Sequence, residues 1–161
     1  MNETDVLDGR SLRDALGCFA TGVTVVTTLS GNGVPLGMTM NSFSSVSLDP
    51  PLILFSLDRR SQYFDDFMAA EHFAVNVLGG RQEDLSNRFA QKGRDPVSNQ
   101  DFETWNTGCP ILKGALAALE CAVDQKVDGG DHVIFICRVL KASHTSEGAP
   151  LLFHRGGYLR I

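Results

Sequence analysis

Residues 23–29 read Val-Thr-Val-Val-Thr-Thr-Leu, a β-branched run that predicts a strand. Before it, Ser11 followed by Asp14 resembles a capping box with Asp in place of Glu. It opens a short helix through Phe19 with Leu12, Ala15, Leu16 and Phe19 on one face. Residues 37–57 hold two extended segments on either side of Pro50 and Pro51. A run rich in hydroxyl and amide side chains precedes the prolines, and the uninterrupted apolar run 52–55 follows them. Asp49 stands before a proline and Pro50 fixes its own φ, so this corner is stiff. Ser61 is placed to cap a helix over 62–70, whose apolar face is Tyr63, Phe64, Phe67 and Met68. Residues 73–78 form a strand with Asn76 embedded in it, and Gly79 and Gly80 end it. Another helix over 82–90 bears Leu85 and Phe89, with Arg88 beside them. The strongest hairpin pairs 115–127 with 132–143 around Asp128-Gly129-Gly130-Asp131. A last strand over 151–154 leads into Arg155-Gly156-Gly157-Tyr158.

Two stretches interrupt this pattern. Residues 91–109 look irregular, and a loop of that length is usually functional or lies against a partner subunit. Trp105, the sole tryptophan, reads there as a plug closing one end of the core. Residues 31–37 (Gly-Asn-Gly-Val-Pro-Leu-Gly) follow a strand and imitate a dinucleotide-binding loop. Their spacing is G-x-G-x-x-x-G, Pro35 interrupts it, and an extended segment follows where a phosphate loop needs a helix N-terminus. A hairpin turn around Asn32-Gly33 fits better, and a Rossmann fold is rejected. Six or seven strands, two or three short helices and no βαβ alternation predict a mainly β protein built as an antiparallel barrel. One domain over 1–161 is expected, with 1–9 as a loose polar lead.

With 161 residues the chain is long enough for one sizeable core. Its balance of 43% apolar and 20% charged residues is that of a soluble globular protein. A net charge of -5 argues against nucleic-acid binding. No apolar run approaches spanning length and the first residues lack a basic, apolar leader, so cytoplasmic residence is expected. Cys18, Cys109, Cys121 and Cys137 form no C-x-x-C pair and read as reduced, small core hydrophobes rather than a metal site.

Hydrolase, zincin, P-loop and EF-hand patterns are absent. Thr39, Asn41, Ser42, Ser44, Ser45 and Ser47 offer uncharged donors and acceptors, a set suited to the edge of a heterocycle with alternating C=O and N–H groups. The same composition also fits an ordinary polar edge strand. Of the four histidines, His132 and His154 border glycine-rich turns that let a ligand approach the backbone closely; an ordinary surface role is the alternative.

The pieces 19–28, 37–52, 73–78, 85–90, 128–132 and 150–158 together resemble the short-chain flavin reductase family, the reductase components of two-component flavin-dependent monooxygenases. The resemblance runs almost end to end. It implies a split antiparallel β-barrel of the FMN-binding type, a homodimer with flavin near the subunit interface, and hydride supply from NADH or NADPH without a Rossmann domain. FMN and FAD stay equally open. Carried over by position, Met38, Thr39, Asn41 and Ser42 border the isoalloxazine ring. Ser56, Leu57, Asp58, Ser61 and Gln62 hold the ribityl chain and phosphate, and Arg88 and Phe89 complete the phosphate side. His132, His154, Arg155, Gly156 and Tyr158 seat the nicotinamide, with His154 and His132 the catalytic candidates. No metal is implied. Met40 stands where smaller residues are frequent, and Cys137 where glycine is common. The expected role is reduction of flavin and its delivery, by diffusion, to an oxygenase component. A flavin-dependent oxidase, a reductase of another acceptor, or a non-enzymatic flavin-binding protein are the rival readings.

Overall fold

The computed structural model describes residues 7–93, 97 and 102–161. Among them the order is α1 (Gly9–Gly17), β1 (Thr21–Gly22), β2 (Thr24–Leu29), β3 (Pro35–Met40), β4 (Ser44–Leu48), β5 (Pro51–Asp58), α2 (Phe64–Ala69) and β6 (His72–Val77). Then come α3 (Glu83–Ala90), β7 (Phe102–Thr104), β8 (Pro110–Leu112), β9 (Ala117–Gly129), β10 (His132–His144), β11 (Leu152–His154) and β12 (Gly157–Leu159). Seven strands form one sheet in the order β3-β2-β6-β9-β10-β5-β4, and every pair in it is antiparallel. The chain is therefore mainly β, as expected.

The sheet is rolled. Leu36 and Met40 of β3, at one edge, share a single core cluster with Ile53, Phe55 and Leu57 of β5, near the other. Phe55, Phe73 and Phe135 lie at its centre: Phe55 stacks on Phe135 at 5.1 Å and meets Phe73 edge-on at 5.2 Å. Such pairs contribute beyond the area they bury. Phe67 of α2 packs on Phe73 at 5.2 Å, which pins that short helix across the roll. The edges β3 and β4 are not laddered to each other, so the roll is unclosed.

The β-branched run of β2 is explained by burial on both faces. Val26 points into the main cluster, while Val25 joins Leu78, Phe89, Leu112 and Leu151 in a second one. A strand covered on both sides has no reason to alternate. Its buried hydroxyls all find carbonyls: Thr24 donates to Met40 at 2.8 Å, Thr27 to Pro110 at 2.5 Å and Thr28 to His72 at 2.8 Å. Asn76, fully buried on β6, donates through Nδ2 to the Val25 carbonyl at 3.1 Å and accepts the Leu112 N–H at 2.8 Å. One amide thus joins β6, β2 and β8.

Other expectations need correction. The cap of α1 is Asp8, whose carboxylate accepts from the N–H groups of Arg10 and Ser11, so Ser11 lies inside the helix. Its apolar face is not packed: Leu12, Leu16 and Phe19 are all exposed, Phe19 by 78%. The second helix begins at Phe64 without a side-chain cap; Ser61 instead accepts the Tyr63 N–H in the preceding turn. Twelve strands are present among the described residues, not six or seven. The additional ones are two to six residues long and are held by tertiary pairing rather than by a local pattern. Residues 102–112 are one such case: β7 and β8 pair around Trp105, which packs on Ala74, Cys109, Ile111 and Ala118 with Lys141 4.5 Å above its ring. The parts of the expected loop at 94–96 and 98–101, and of the expected N-terminal lead at 1–6, lie outside the described residues. Cys109, Cys121 and Cys137 are buried as expected, but Cys18 is exposed.

Candidate functional site

The residues expected at the site fall into two groups, and strand geometry decides which goes where. Successive side chains of a strand point to opposite faces. On β3, Leu36, Met38 and Met40 therefore face the main core, and Met40 is buried there. Gly37 and Thr39 face α3 on the other side, where Thr39 donates its hydroxyl to the Ser86 carbonyl at 2.6 Å. Met38 and Thr39 thus do not share a surface.

The first group gathers where β3, β5 and the turn after it meet. Ser61 donates its hydroxyl to Met38 Sδ at 3.0 Å. Ser42 donates to the Ser56 carbonyl at 3.1 Å and accepts the Ser56 N–H at 3.0 Å, so its hydroxyl splices the β3–β4 corner onto β5. Asn41 is exposed beside it. Leu57 is buried in the core, so only its main chain could meet a ligand. Gln62 accepts the Gly93 N–H through Oε1 at 2.7 Å.

Charge collects at the end of this group. The Arg60 side chain, and then its N–H, hold the Asp58 carboxylate well below the usual carboxylate range, with Nη2 at 2.9 Å. Arg59 pairs with Asp128 at 2.5 Å and donates to the Gly130 carbonyl at 2.8 Å. His132 Nδ1 lies 2.7 Å from Asp131, whose carboxyl it lowers, and His132 pairs in register with Asp58. The tip of the β9–β10 hairpin is thereby buckled to the turn after β5.

The second group lies on α3 and the C-terminal hairpin. The Arg88 guanidinium stands 5.7 Å above the Phe89 ring, and Phe89 packs closely against Gly37. Ser86 is fully buried, and its hydroxyl lies 2.7 Å from the Tyr158 hydroxyl. Tyr158 meets Phe153 edge-on at 5.5 Å. His154 is half-buried at the end of β11, and Arg155 and Gly156 turn the chain with φ of 48° and 80°. Two successive positive φ values are the signature of a tight two-residue hairpin turn. The expected last strand is thus one arm of a hairpin. Arg155 N–H donates to the Gly17 carbonyl at 2.9 Å, which fastens this turn to the end of α1. The turn after His154 is thus tied to α1, and His132 is paired with Asp58.

Sequence reading missed Ser86, Gly37 and the Arg59–Asp128 pair. Ser86 stands within a matched segment, yet nothing in a helical serine announces a tyrosine 72 positions away as its partner.

Chemically, the first group suits the edge of a flavin: hydroxyls, an amide and a thioether line it. The anion seat expected at the start of α2 is not built by that helix, because Asp65 and Asp66 occupy its first turn and oppose a phosphate. Arg88 is the cation among the expected phosphate-side residues. Three grooves of about 280, 350 and 840 Å³ border Thr28 and His72, Trp105 and His144, and Gly80 and Arg160 respectively. None of these three is lined by residues 38–42 or 56–62.

Comparison with known proteins bears directly on this arrangement. The flavin reductase like domain family matches residues 16–161. The NADH-dependent FMN reductase SmoA of Agrobacterium fabrum is 46% identical over 154 residues, covering 96% of this chain and 87% of that protein. A probable flavin reductase of Rhizobium meliloti is also 46% identical over 96% of this chain, but the chain spans only 49% of its length. Among solved structures, the NADH:FAD oxidoreductase SgcE6 of Streptomyces globisporus, in complex with NAD and FAD fragments, superposes with a TM-score of 0.91. It is 38% identical, and the match covers 100% of this chain and 97% of that one. By sequence and by fold, this chain belongs to the flavin reductase like domain family.

Proposed function

We propose that this protein is an NAD(P)H:flavin oxidoreductase that reduces FMN or FAD and supplies the reduced flavin to a separate monooxygenase. The observation that carries the reading is the near full-length match, at 46% identity, to an NADH-dependent FMN reductase. The hairpin at residues 31–37 agrees with it, since this reading needs no Rossmann dinucleotide loop there.

When bound, the flavin supplies the hydride-accepting centre, so no protein nucleophile is needed. The chain's task is to bind, align and exclude water. Met38, Asn41 and Ser42 would present an uncharged edge to the ring, with the exposed Asn41 amide free to donate and Ser42 bracing the corner against Ser56. Ser56, Ser61 and Gln62 hold the ribityl chain, and Arg88 on Phe89 brings positive charge to the phosphate. His154, Arg155, Gly156 and Tyr158 orient the nicotinamide. His132, held by Asp131, stands at the opposite turn and closes the site from that side. The protein acts as a cytoplasmic homodimer, in which a second copy covers the exposed Leu12 and Leu16 of α1 and Phe19 just past it, and walls the open ledge. Reduced flavin reaches the oxygenase by diffusion.

The test is a visible spectrum of the purified protein, followed by NADH and NADPH oxidation with added FMN, FAD or riboflavin. Turnover that depends on added flavin supports the reading. Tight flavin binding without turnover makes it a flavin-storage protein, and turnover indifferent to free flavin points to another acceptor.

A further inference from the structure

We propose that Ser86 is a positioning residue that couples the flavin side of the site to its nicotinamide side. The inference rests on the functional reading above. Ser86 is fully buried on α3, and a buried hydroxyl needs a partner. It engages β3, the strand that carries Met38, and the hairpin that carries His154, with different atoms. Its carbonyl accepts the Thr39 hydroxyl of β3 at 2.6 Å, and its own hydroxyl meets Tyr158 of β12 at 2.7 Å.

The two sides are held by different parts of the fold. Helix α3 is locked to β3, because Phe89 fills the space where Gly37 would carry a side chain. The C-terminal hairpin belongs to a separate three-stranded sheet in the order β1-β11-β12, and β1 meets it over only two residue pairs. Strand β12 is an edge of that sheet. Two of its ties to the rest of the molecule go to α3: Tyr158 to Ser86, and, just past the strand, Arg160 to Glu83 at 2.9 Å. The latter is a surface pair of the kind that contributes little. Hydride transfer requires the two rings to approach within about 3–3.5 Å in a fixed orientation. Phe153 and Tyr158 pack on the same cluster as Phe89, and the hydrogen bond from α3 to Tyr158 adds a directional tie that supplies that alignment.

The geometry lets the two arms be cut separately. Ser86→Ala removes the hydroxyl and leaves the carbonyl that Thr39 uses, whereas Tyr158→Phe removes the partner's hydroxyl. Each should raise the KM for NADH roughly five- to tenfold, the net worth of one buried hydrogen bond, with flavin Kd changed less than about twofold. The double variant should be no worse than either single one, because both cut the same bond. Independently of turnover, the anaerobic charge-transfer absorbance of NAD⁺ on the reduced, flavin-loaded protein should weaken in both variants. Backbone hydrogen exchange of residues 152–159 should quicken. A merely structural role would raise flavin Kd and NADH KM together. That result, additive single effects, or unchanged KM and charge-transfer absorbance in both variants would overturn the proposal. Tyr158→Phe alters a half-buried edge-strand residue and serves where Ser86→Ala does not fold. Wild-type protein that oxidises no NADH with any flavin removes the functional reading itself. Active wild type with both variants indistinguishable from it removes the coupling alone.

Discussion

Gly37→Ala tests whether α3 is pressed against β3 as closely as the structure has it. A methyl group built on Gly37 would stand 2.5 Å from Phe89 Cε1, 2.8 Å from Cδ1 and 3.2 Å from Thr27 Cγ2. The first two distances are inside any tolerable carbon contact, so the ring must move. It has little freedom to do so, because Phe89 is buried among Val23, Val25, Leu78, Leu112 and Leu151. Overpacking of this kind costs about 1–3 kcal/mol, and the upper half of that range applies where the neighbour is enclosed. Replacing a strand glycine gains back roughly 0.5–1 kcal/mol of backbone entropy. The expected net loss is about 1–2.5 kcal/mol, or a fall in Tm of roughly 2–10 °C for a chain of this size. Urea unfolding of wild type, Gly37→Ala, Phe89→Leu and the double variant measures it. Phe89→Leu alone should cost about 1 kcal/mol, and the double variant should recover at least about 1 kcal/mol relative to the sum. A Gly37→Ala protein within 0.5 kcal/mol of wild type, or strict additivity, would show that the contact between α3 and β3 is looser than described.

Three further outcomes follow from other groups. Glu120 is buried, and its Oε1 accepts both the N–H and the hydroxyl of Thr107 at 2.7 Å; Glu120→Ala should therefore cost about 2–4 kcal/mol in chemical denaturation, while Glu120→Gln, which keeps an acceptor, costs clearly less. Equal costs would mean that Thr107 is not held through this oxygen. Because Arg60 lowers the pKa of Asp58, the stabilisation from that carboxylate is present above the ordinary value of 3.8 and is lost only as pH falls through the lowered one. Carboxyl-carbon NMR should find Asp58 still ionised at pH 3.8 and should find Arg60→Leu returning its titration toward that value. Of the four cysteines, Cys18 alone is exposed, and the Cys109 thiol is pushed up by burial, so a thiol reagent should label one site quickly and the remaining three only on unfolding. Fast labelling of a second cysteine, read by mass spectrometry, would contradict the burial of Cys109, Cys121 and Cys137.

Much of this architecture can be read in the chain because local preference and tertiary demand agree. In β2, β6 and the long β9–β10 hairpin, β-branched and apolar residues recur and glycines stand where the chain reverses, at Gly129 and Gly130. The legible part ends where an element exists only through a distant partner. Strands β7 and β8 are three residues each, too short for any periodicity, and Trp105 at their turn looks irregular until its packing is known. The residues of the candidate site were named mostly by resemblance, and their division was not. Alternation along β3 already implies that Met38 and Thr39 part company, but only the tertiary structure assigns one side to the core and the other to α3. Ser86 is the clearest case, since its meaning lies in Thr39 and Tyr158, each far away in the chain.

Asn76 has a consequence for how the strands find one another. A stack of oily, β-branched strands can slide by two positions and bury nearly the same surface, so greasiness alone leaves the alignment ambiguous. The amide of Asn76 cannot slide with it, because it must meet the Val25 carbonyl on one side and the Leu112 N–H on the other. A displaced strand would bring a bare polar group into hydrocarbon and forfeit both bonds. One uncharged side chain thus acts as a notch in a ruler, and the placement of every loop hung from those strands is measured from it.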